Sequence, residues 1–499
     1  MISILTHSKI NGVYINGSWI ETKTYFKNYN PATLEVINHV SNATIEHVDQ
    51  AIKSAQDALN YWKNLTSKQR NQYILEFSKK MENDKFNLAK IVSTEQGKPL
   101  KEAISEIDKC FDFINFFTEE NLRISNYNLA SYKKDTDITI KYEAIGVVAA
   151  ITPWNLPIGM IIRKIIPALC AGCTVILKPS SETPWSAIKI AEYFSSILPN
   201  GVLNLITTDN DDEIGRKLST SNKIDLLTFT GSSFTGKKII SESSLTIKKL
   251  LLELGGNAPF IVFKDADINK AADDLIEAKF RNAGQTCTSV NRLYIEETIS
   301  TKFIQLLIQK IDKLKLKNKT SNDYDIGPLI NNAAIEKVEY HIKDALLNGA
   351  FLIYGGKRIE GDGYFFEPTL ISNVNSDMEV VSSETFGPVL PILTFNEFDN
   401  NIVEKANDCP YGLCAYVYTN DLIKGSNIAN KLEYGMIGIN NNRPTQVNTP
   451  FGGFKESGYG KECGRDGLLE FMRVKSVYST QVYEPRYTSA IQVRKNINN

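Results

Sequence analysis

The chain has 499 residues, 42% of them hydrophobic and 23% charged, with a formal net charge of −1. Those values describe an ordinary globular protein of more than one domain. They exclude a basic footprint for nucleic acid, and no apolar run reaches the roughly 20 residues that a membrane span needs.

Residues 1–12 carry no basic-then-apolar pattern, so no signal or transit peptide is expected. Seven scattered cysteines, an odd number, argue against a disulfide framework and for a reducing compartment; the reading is cytoplasmic. Residues 137–142 alternate like a strand but suit neither core outlined below. With 474–483 they read as projecting strands that pair with another subunit, or equally as two surface hairpins. From residue 147 a regular alternation begins. Short apolar strands are predicted at 147–151, 174–177, 202–206, 225–229 and 249–253, with helices over 160–171, 185–197 and 235–244. Strands alternating with helices imply a doubly wound parallel sheet, which binds ligands at the carboxyl ends of its strands. A second α/β pattern opens with a strand at 259–263, has helices over 269–280 and 300–314, and runs to about residue 430.

The chemistry-bearing motifs fall at strand ends or just after them. Thr152-Pro153-Trp154-Asn155 closes the first strand. Its asparagine can offer an amide N–H to an oxyanion, although alone it is better read as a turn former. Cys170 and Cys173 form a C-x-x-C without a second pair at metal spacing, and Cys170 falls on an apolar stripe, so both read as core. Leu177-Lys178-Pro179-Ser180-Ser181 puts a lysine at a strand tip, where it reaches a ribose or phosphate or simply solvent. Phe229-Thr230-Gly231-Ser232-Ser233-Phe234-Thr235-Gly236 is a strand–turn–helix junction whose helix N-terminus suits a pyrophosphate. It nearly mimics a triphosphate loop, but Lys238 stands where that motif needs Ser or Thr.

The most informative pair is Leu252-Glu253-Leu254-Gly255-Gly256-Asn257 and, further on, Arg281-Asn282-Ala283-Gly284-Gln285-Thr286-Cys287. A thiol attacks carbonyls, and a partly buried carboxylate activates water to release the acyl group. The alternative, a buried inert cysteine, fits poorly with Gly284, Thr286 and Thr288 around it. No histidine lies within 50 residues of Cys287, so a Cys/His protease is disfavoured. Glu384-Thr385-Phe386-Gly387-Pro388 is weak alone; Glu384 suits a ribose and Phe386 a ring.

Together, in this order and spacing, these residues resemble the aldehyde dehydrogenase superfamily. The match extends from Val13-Tyr14-Ile15-Asn16-Gly17-Ser18-Trp19 to Pro450-Phe451-Gly452-Gly453. The resemblance implies an α/β oxidoreductase with a doubly wound, Rossmann-like dinucleotide-binding domain at 1–127 and 145–252. It implies an α/β catalytic domain at 253–430, a substrate-mouth loop and return at 431–473, and a β-strand oligomerisation flap at 128–144 and 474–490. A homodimer or homotetramer follows from that flap. By resemblance Cys287 is the nucleophile, Glu253 the base, and Asn155 an oxyanion donor together with the Cys287 N–H. Trp154, Lys178, Ser180, Ser181, Gly231, Ser232, Leu254, Glu384 and Phe386 contact the cofactor. No metal is implied.

Within the family the residues are most similar to the branch that oxidises succinate semialdehyde. Arg163, Arg281 and Thr445 stand where that branch holds the distal carboxylate, a task suited to guanidinium forks; the alternative is that each arginine makes a structural ion pair. Glutarate semialdehyde and neutral aliphatic aldehydes are alternative substrates, and a non-catalytic binding protein is the rival from another class. Two departures stand out. Ser289 replaces a second cysteine often found two residues after the nucleophile, and Arg443-Pro444 interrupts the loop 440–446. Arg443 is expected to add a third positive charge at the mouth. Ser181 stands where NAD-preferring members place a carboxylate, so NADP is expected as cofactor, with NAD possible.

Overall fold

The computed structural model describes residues 8–317, 324–396 and 401–480. The strands Val147–Ile151 and Thr174–Lys178 are buried at every position, as apolar strands covered on both faces are. They lie at the centre of an eight-stranded sheet. Its order is Gly458–Tyr459, Lys249–Glu253, Leu226–Thr230, Val147–Ile151, Thr174–Lys178, Leu203–Leu205, Val13–Ile15 and Ser18–Ile20. The inner five strands are parallel. Chain order runs outward from Val147–Ile151 on one side and resumes at Leu226–Thr230 on the other. The reversal opens a crevice beyond the carboxyl ends of those two strands, where such sheets bind ligands.

The helix predicted over 160–171 is Pro157–Ala171, and all its residues are buried. It begins earlier because Pro157 occupies the first helical position, where a missing N–H is harmless. It ends at Gly172, whose φ of 95° suits a left-handed cap. The helix predicted over 235–244 is Ser233–Ser243, because the Ser232 hydroxyl caps it by accepting from the Thr235 N–H at 3.2 Å. Helices predicted at 185–197, 269–280 and 300–314 are Pro184–Ser195, Ile268–Phe280 and Glu297–Ile311. Four further helices fill Ile45–Asn64, Ser67–Asn83, Lys85–Gln96 and Leu100–Arg123, a stretch for which no element was predicted. The last packs on Pro157–Ala171.

The second pattern forms a seven-stranded sheet. Its order is Phe351–Tyr354, Thr369–Ser372, Val389–Phe395, Val290–Glu296, Ala258–Val262, Cys414–Tyr418 and Met436–Ile439. The segments 137–142 and 474–483 are neither two separate hairpins nor isolated strands. Thr136–Ala144 pairs antiparallel with Met472–Thr480, and Tyr127–Leu129 completes a three-stranded sheet. Residues 481–483 of that prediction, the rest of 484–490 and residues 1–7 lie outside the described residues. Among the described residues no helix is long and apolar enough to cross a membrane.

Candidate active site

The two long motifs meet at the junction of the sheets. Glu253 ends one strand, and Cys287 follows the helix Ile268–Phe280 and a short turn. Gly256 must be glycine, because a Cβ there would lie 2.3 Å from the Cys287 carbonyl oxygen. Gly452, with φ +157°, lets its backbone approach Glu253, whose Oε1 would sit 2.7 Å from a Cβ. Before Cys287 the backbone is left-handed at Asn282 (φ 50°) and Ala283 (φ 55°). Such conformations cost on the order of 1–3 kcal/mol each in non-glycine residues and persist only when surroundings enforce them. Here Asn282 N donates to Glu102 Oε2 at 3.0 Å and its Nδ2 to the Asn155 carbonyl at 3.1 Å. Gln285 Nε2 donates to the Asn282 carbonyl at 3.0 Å.

Asn155 is held as firmly. Its Nδ2 donates to the Gln285 carbonyl at 3.0 Å, which uses one of two N–H bonds and leaves the other for a ligand. Buried Lys98 donates to the Asn155 carbonyl at 2.8 Å and pairs with Glu106 at 2.6 Å. Glu106 Oε1 in turn accepts the Ile158 and Gly159 N–H groups, each at 3.0 Å. A buried ion pair therefore ties the Asn155 turn to the first turn of the following helix.

The half-buried Cys287 thiol is pushed up to about 12 by burial; Glu253 and Glu384 add to the rise and Arg163 opposes it. Burial, then Glu462, holds the Glu253 carboxyl well above the usual carboxylate range, against Arg163, Lys164 and Lys461. Neither Glu253 oxygen has a hydrogen-bond partner among the described residues. A protonated thiol beside an unpartnered carboxyl can do nucleophilic chemistry only after a proton is lost. The kcat/KM for an aldehyde is therefore expected to rise with pH through neutrality and on into the alkaline range. A pH–rate profile that is flat or falls over that range would refute this assignment.

The crevice at the strand ends carries the residues predicted to hold a dinucleotide. Trp154 and Phe386 meet edge to face, with centroids 5.5 Å apart. Glu384 Oε1 accepts the Gly256 N–H at 2.9 Å, and burial raises its carboxyl to about 7. Gly231 N donates to the Glu253 carbonyl at 3.0 Å, while exposed Ser232 caps the next helix. Leu254 packs beneath Gly236. Thr230 Oγ1, at the end of its strand, is buried with no hydrogen-bond partner among the described residues. Ser180 Oγ accepts the Glu182 N–H at 3.2 Å. Lys178, buried, is ion-paired with Asp211, and Ser181 Oγ donates to Asp211 Oδ2 at 3.4 Å. A cation and a helix N-terminus for phosphates, a carboxylate for ribose hydroxyls and aromatic edges for a ring fit a dinucleotide.

A cavity of about 670 Å³ leads to Cys287 and is also lined by Asn155, Arg163, Arg281, Thr445 and Phe451. The arginines differ. Arg163 reaches the cavity, but its guanidinium is ion-paired with Glu462 at 2.8 Å and lies 4.1 Å from the centre of the Phe451 ring. Lys164 binds the same Glu462 at 2.5 Å and donates to Thr228 Oγ1 at 3.0 Å. The structural ion pair considered above is therefore present at Arg163, although its Nε and Nη2 lack an aligned hydrogen-bond acceptor among the described residues. Arg443 lines the cavity too, yet it is ion-paired with Glu277, so it adds no net third charge. Arg281 is exposed to the cavity and forms no ion pair among the described residues.

Residues 19–477 match the model of the aldehyde dehydrogenase family. The chain belongs to that family. This aldehyde dehydrogenase is 41% identical over 456 residues to a Sinorhizobium fredii protein named probable succinate-semialdehyde dehydrogenase [NADP(+)], covering 90% of this chain and 92% of that protein. It is likewise 41% identical over 465 residues to the glutarate-semialdehyde dehydrogenase of Pseudomonas putida, with 93% and 96% covered. The solved succinate-semialdehyde dehydrogenase from Burkholderia pseudomallei superposes with a TM-score of 0.92 at 40% identity, over 96% of this chain and 99% of that one.

Four residues of this aldehyde dehydrogenase's site escaped the sequence reading. Glu462 sits in a glycine-rich turn with no periodicity to mark it. Lys98 and Lys109 belong to the helical region that carried no prediction. Lys109 lines the cavity; burial lowers its amine first, and Arg281, Arg163 and Arg443 lower it further. Its place beside Cys110 and near Phe113, both buried in the helix Leu100–Arg123, was the available signal. Asp211 heads a helix that was not predicted.

Proposed function

We propose that this enzyme oxidises the aldehyde of a carboxylate-bearing semialdehyde to the dicarboxylate. Succinate semialdehyde is the first substrate and glutarate semialdehyde the alternative, with NADP as cofactor and NAD accepted. The observation that carries the reading is the charge of the cavity. Arg281 and Lys109 face it without an ion pair among the described residues, whereas Arg163 and Arg443 are already paired. Unpaired cations converging on one cavity favour an anionic ligand. The names of the Sinorhizobium and Pseudomonas relatives support the same substrates.

The chemistry follows from the chain's own groups. Glu253 takes the thiol proton, and Cys287 Sγ bonds to the aldehyde carbon. The carbonyl electron pair moves to oxygen, where the remaining Asn155 N–H and the Cys287 backbone N–H hold the negative charge. A bound nicotinamide supplies the hydride acceptor. Cys287 is then left as a thioester. Glu253 passes the thiol proton on to solvent and, as a carboxylate again, removes a proton from water; the water oxygen bonds to the acyl carbon, and Cys287 leaves as thiolate. Arg281 and Lys109 hold the far carboxylate throughout, which fixes the aldehyde against Sγ.

The remaining assignments rest on the same reading. Residues 1–127 and 145–252 serve the cofactor, 253–430 carry the nucleophile, and 431–473 form the mouth. The three-stranded sheet joins subunits into a dimer or tetramer. Its exposed Tyr127, Leu129, Val474 and Tyr478 support that role. The scattered free cysteines support a cytoplasmic site.

Initial rates with succinate semialdehyde and with propanal test the reading. Arg281→Ala is expected to lower kcat/KM for succinate semialdehyde by about 30-fold or more, the effect of losing about 2 kcal/mol from a desolvated charge contact. Lys109→Ala acts in the same direction. Propanal should change by less than about threefold, since it offers no carboxylate. Equal losses on both aldehydes, or better turnover of propanal by the parent enzyme, would overturn the assignment.

A further inference from the structure

Asp211 is the first residue of the helix Asp211–Thr220. Its carboxylate engages two residues of the preceding βα turn at once. It is ion-paired with Lys178 and accepts a long hydrogen bond of 3.4 Å from Ser181 Oγ. The partners differ in freedom: the Lys178 side chain is 5% exposed and that of Asp211 is 53% exposed. A fixed cation thus faces a carboxylate that can turn away into water. A helix N-terminus favours an acid, and a buried lysine needs a counter-charge. Neither reason requires contact with Ser181.

The neighbouring acids are occupied elsewhere. Glu182, next to Ser181, accepts from Asn331 Nδ2 at 2.7 Å. Asp212 pairs with Lys238 at 2.6 Å, Glu213 is bonded to Asn210, and Asp209 accepts from Asn42 at 2.5 Å. Only Asp211 among them reaches the Lys178–Ser181 pair.

We propose that Asp211 sets the choice between NAD and NADP. The proposal rests on the reading above that Lys178 and Ser181 face the adenosine ribose. A free 2′-hydroxyl is a hydrogen-bond donor and leaves Asp211 in place as its acceptor. The helix thereby supplies the carboxylate that position 181 lacks. A 2′-phosphate is a multiply charged anion and repels the carboxylate. It must displace Asp211 from Lys178 and then take over Lys178 and Ser181 itself. NADP therefore binds against a resident competitor, and NAD does not.

Calorimetric titration with ADP-ribose and with 2′-phospho-ADP-ribose tests this without turnover. Asp211→Asn keeps the shape and removes the charge. It is expected to bind 2′-phospho-ADP-ribose about tenfold more tightly than the parent and to bind ADP-ribose equally or more weakly. The ratio of kcat/KM for NADP over NAD should rise by a similar factor. If both ligands bind the parent but the variant's affinity for the 2′-phosphate ligand stays within twofold, the role of Asp211 is overturned and the cofactor site stands. If the parent binds neither ligand, the cofactor reading and this proposal fail together. Unchanged circular dichroism of the variant ensures that the comparison is between folded proteins.

Discussion

Replacing Cys287 by alanine is expected to lower kcat/KM for succinate semialdehyde by at least about 10⁴-fold, the scale of losing a covalent nucleophile. The geometry offers no substitute. Cys463 lines the same cavity but is 3% exposed, whereas Cys287 is half-buried. Cys414 is 1% exposed. The loss should appear in kcat, because Arg281, Lys109 and the cofactor crevice are untouched and continue to bind. Glu253→Gln provides the complementary measurement. An amide can take a proton neither from the thiol nor from water, so the thiol must lose its proton to solvent, and the thioester, once formed, should accumulate. Cofactor reduction is then expected as a burst of at most one equivalent followed by a slow phase, and intact mass spectrometry should find the acyl group on Cys287. A Cys287→Ala enzyme retaining more than about one per cent of parental activity would remove the thiol from the mechanism.

Glu462→Gln is expected to cost about 3–5 kcal/mol of stability, the usual penalty for removing one partner from a buried ion pair. The carboxylate is 2% exposed and serves two cations, Arg163 at 2.8 Å and Lys164 at 2.5 Å. Without it both positive charges stay buried. Besides the neutral amide oxygen of the new side chain, Lys164 keeps the Thr228 hydroxyl, at 3.0 Å, and Arg163 keeps the Phe451 and Phe113 faces at 4.1 and 5.8 Å. Those contacts do not replace a full negative charge in a low-dielectric interior. A second readout separates this triad from inert packing. Glu462 helps to raise the Glu253 carboxyl, so its loss should move the rising limb of the pH–rate profile to lower pH. Urea unfolding gives the first quantity and the pH profile of the folded variant the second. A stability loss below about 1 kcal/mol would show that the triad is solvated.

Much of the core was legible because its segments state their own structure. Val147–Ile151 and Lys249–Glu253 lie where predicted, since a five-residue apolar run bounded by turn residues has few alternatives. Helix starts were displaced where a cap decided them. Ser232 accepts a backbone N–H and moves one start forward, and Pro157 moves another. No element is expected from the sequence between Ile45 and Arg123, although that region supplies Lys98, Glu106 and Lys109. The positions of Glu253, Cys287 and Asn155 were visible as motifs, because tight turns at strand ends demand glycine, proline and asparagine in fixed order.

The sequence by itself determined the alternation of strands and helices, the family and the identity of the reactive groups. These depend on periodicity and on contacts within a few residues. Only the tertiary structure decided which charges remain available. Arg163 and Lys164 share Glu462 from the far end of the chain, Arg443 is countered by Glu277, and Asp211 crosses to Lys178 and Ser181 from another helix. A side chain's net charge in a site is set by whatever the fold brings within a few ångströms, since Coulomb energy depends on distance through space. No pattern along the chain encodes that distance.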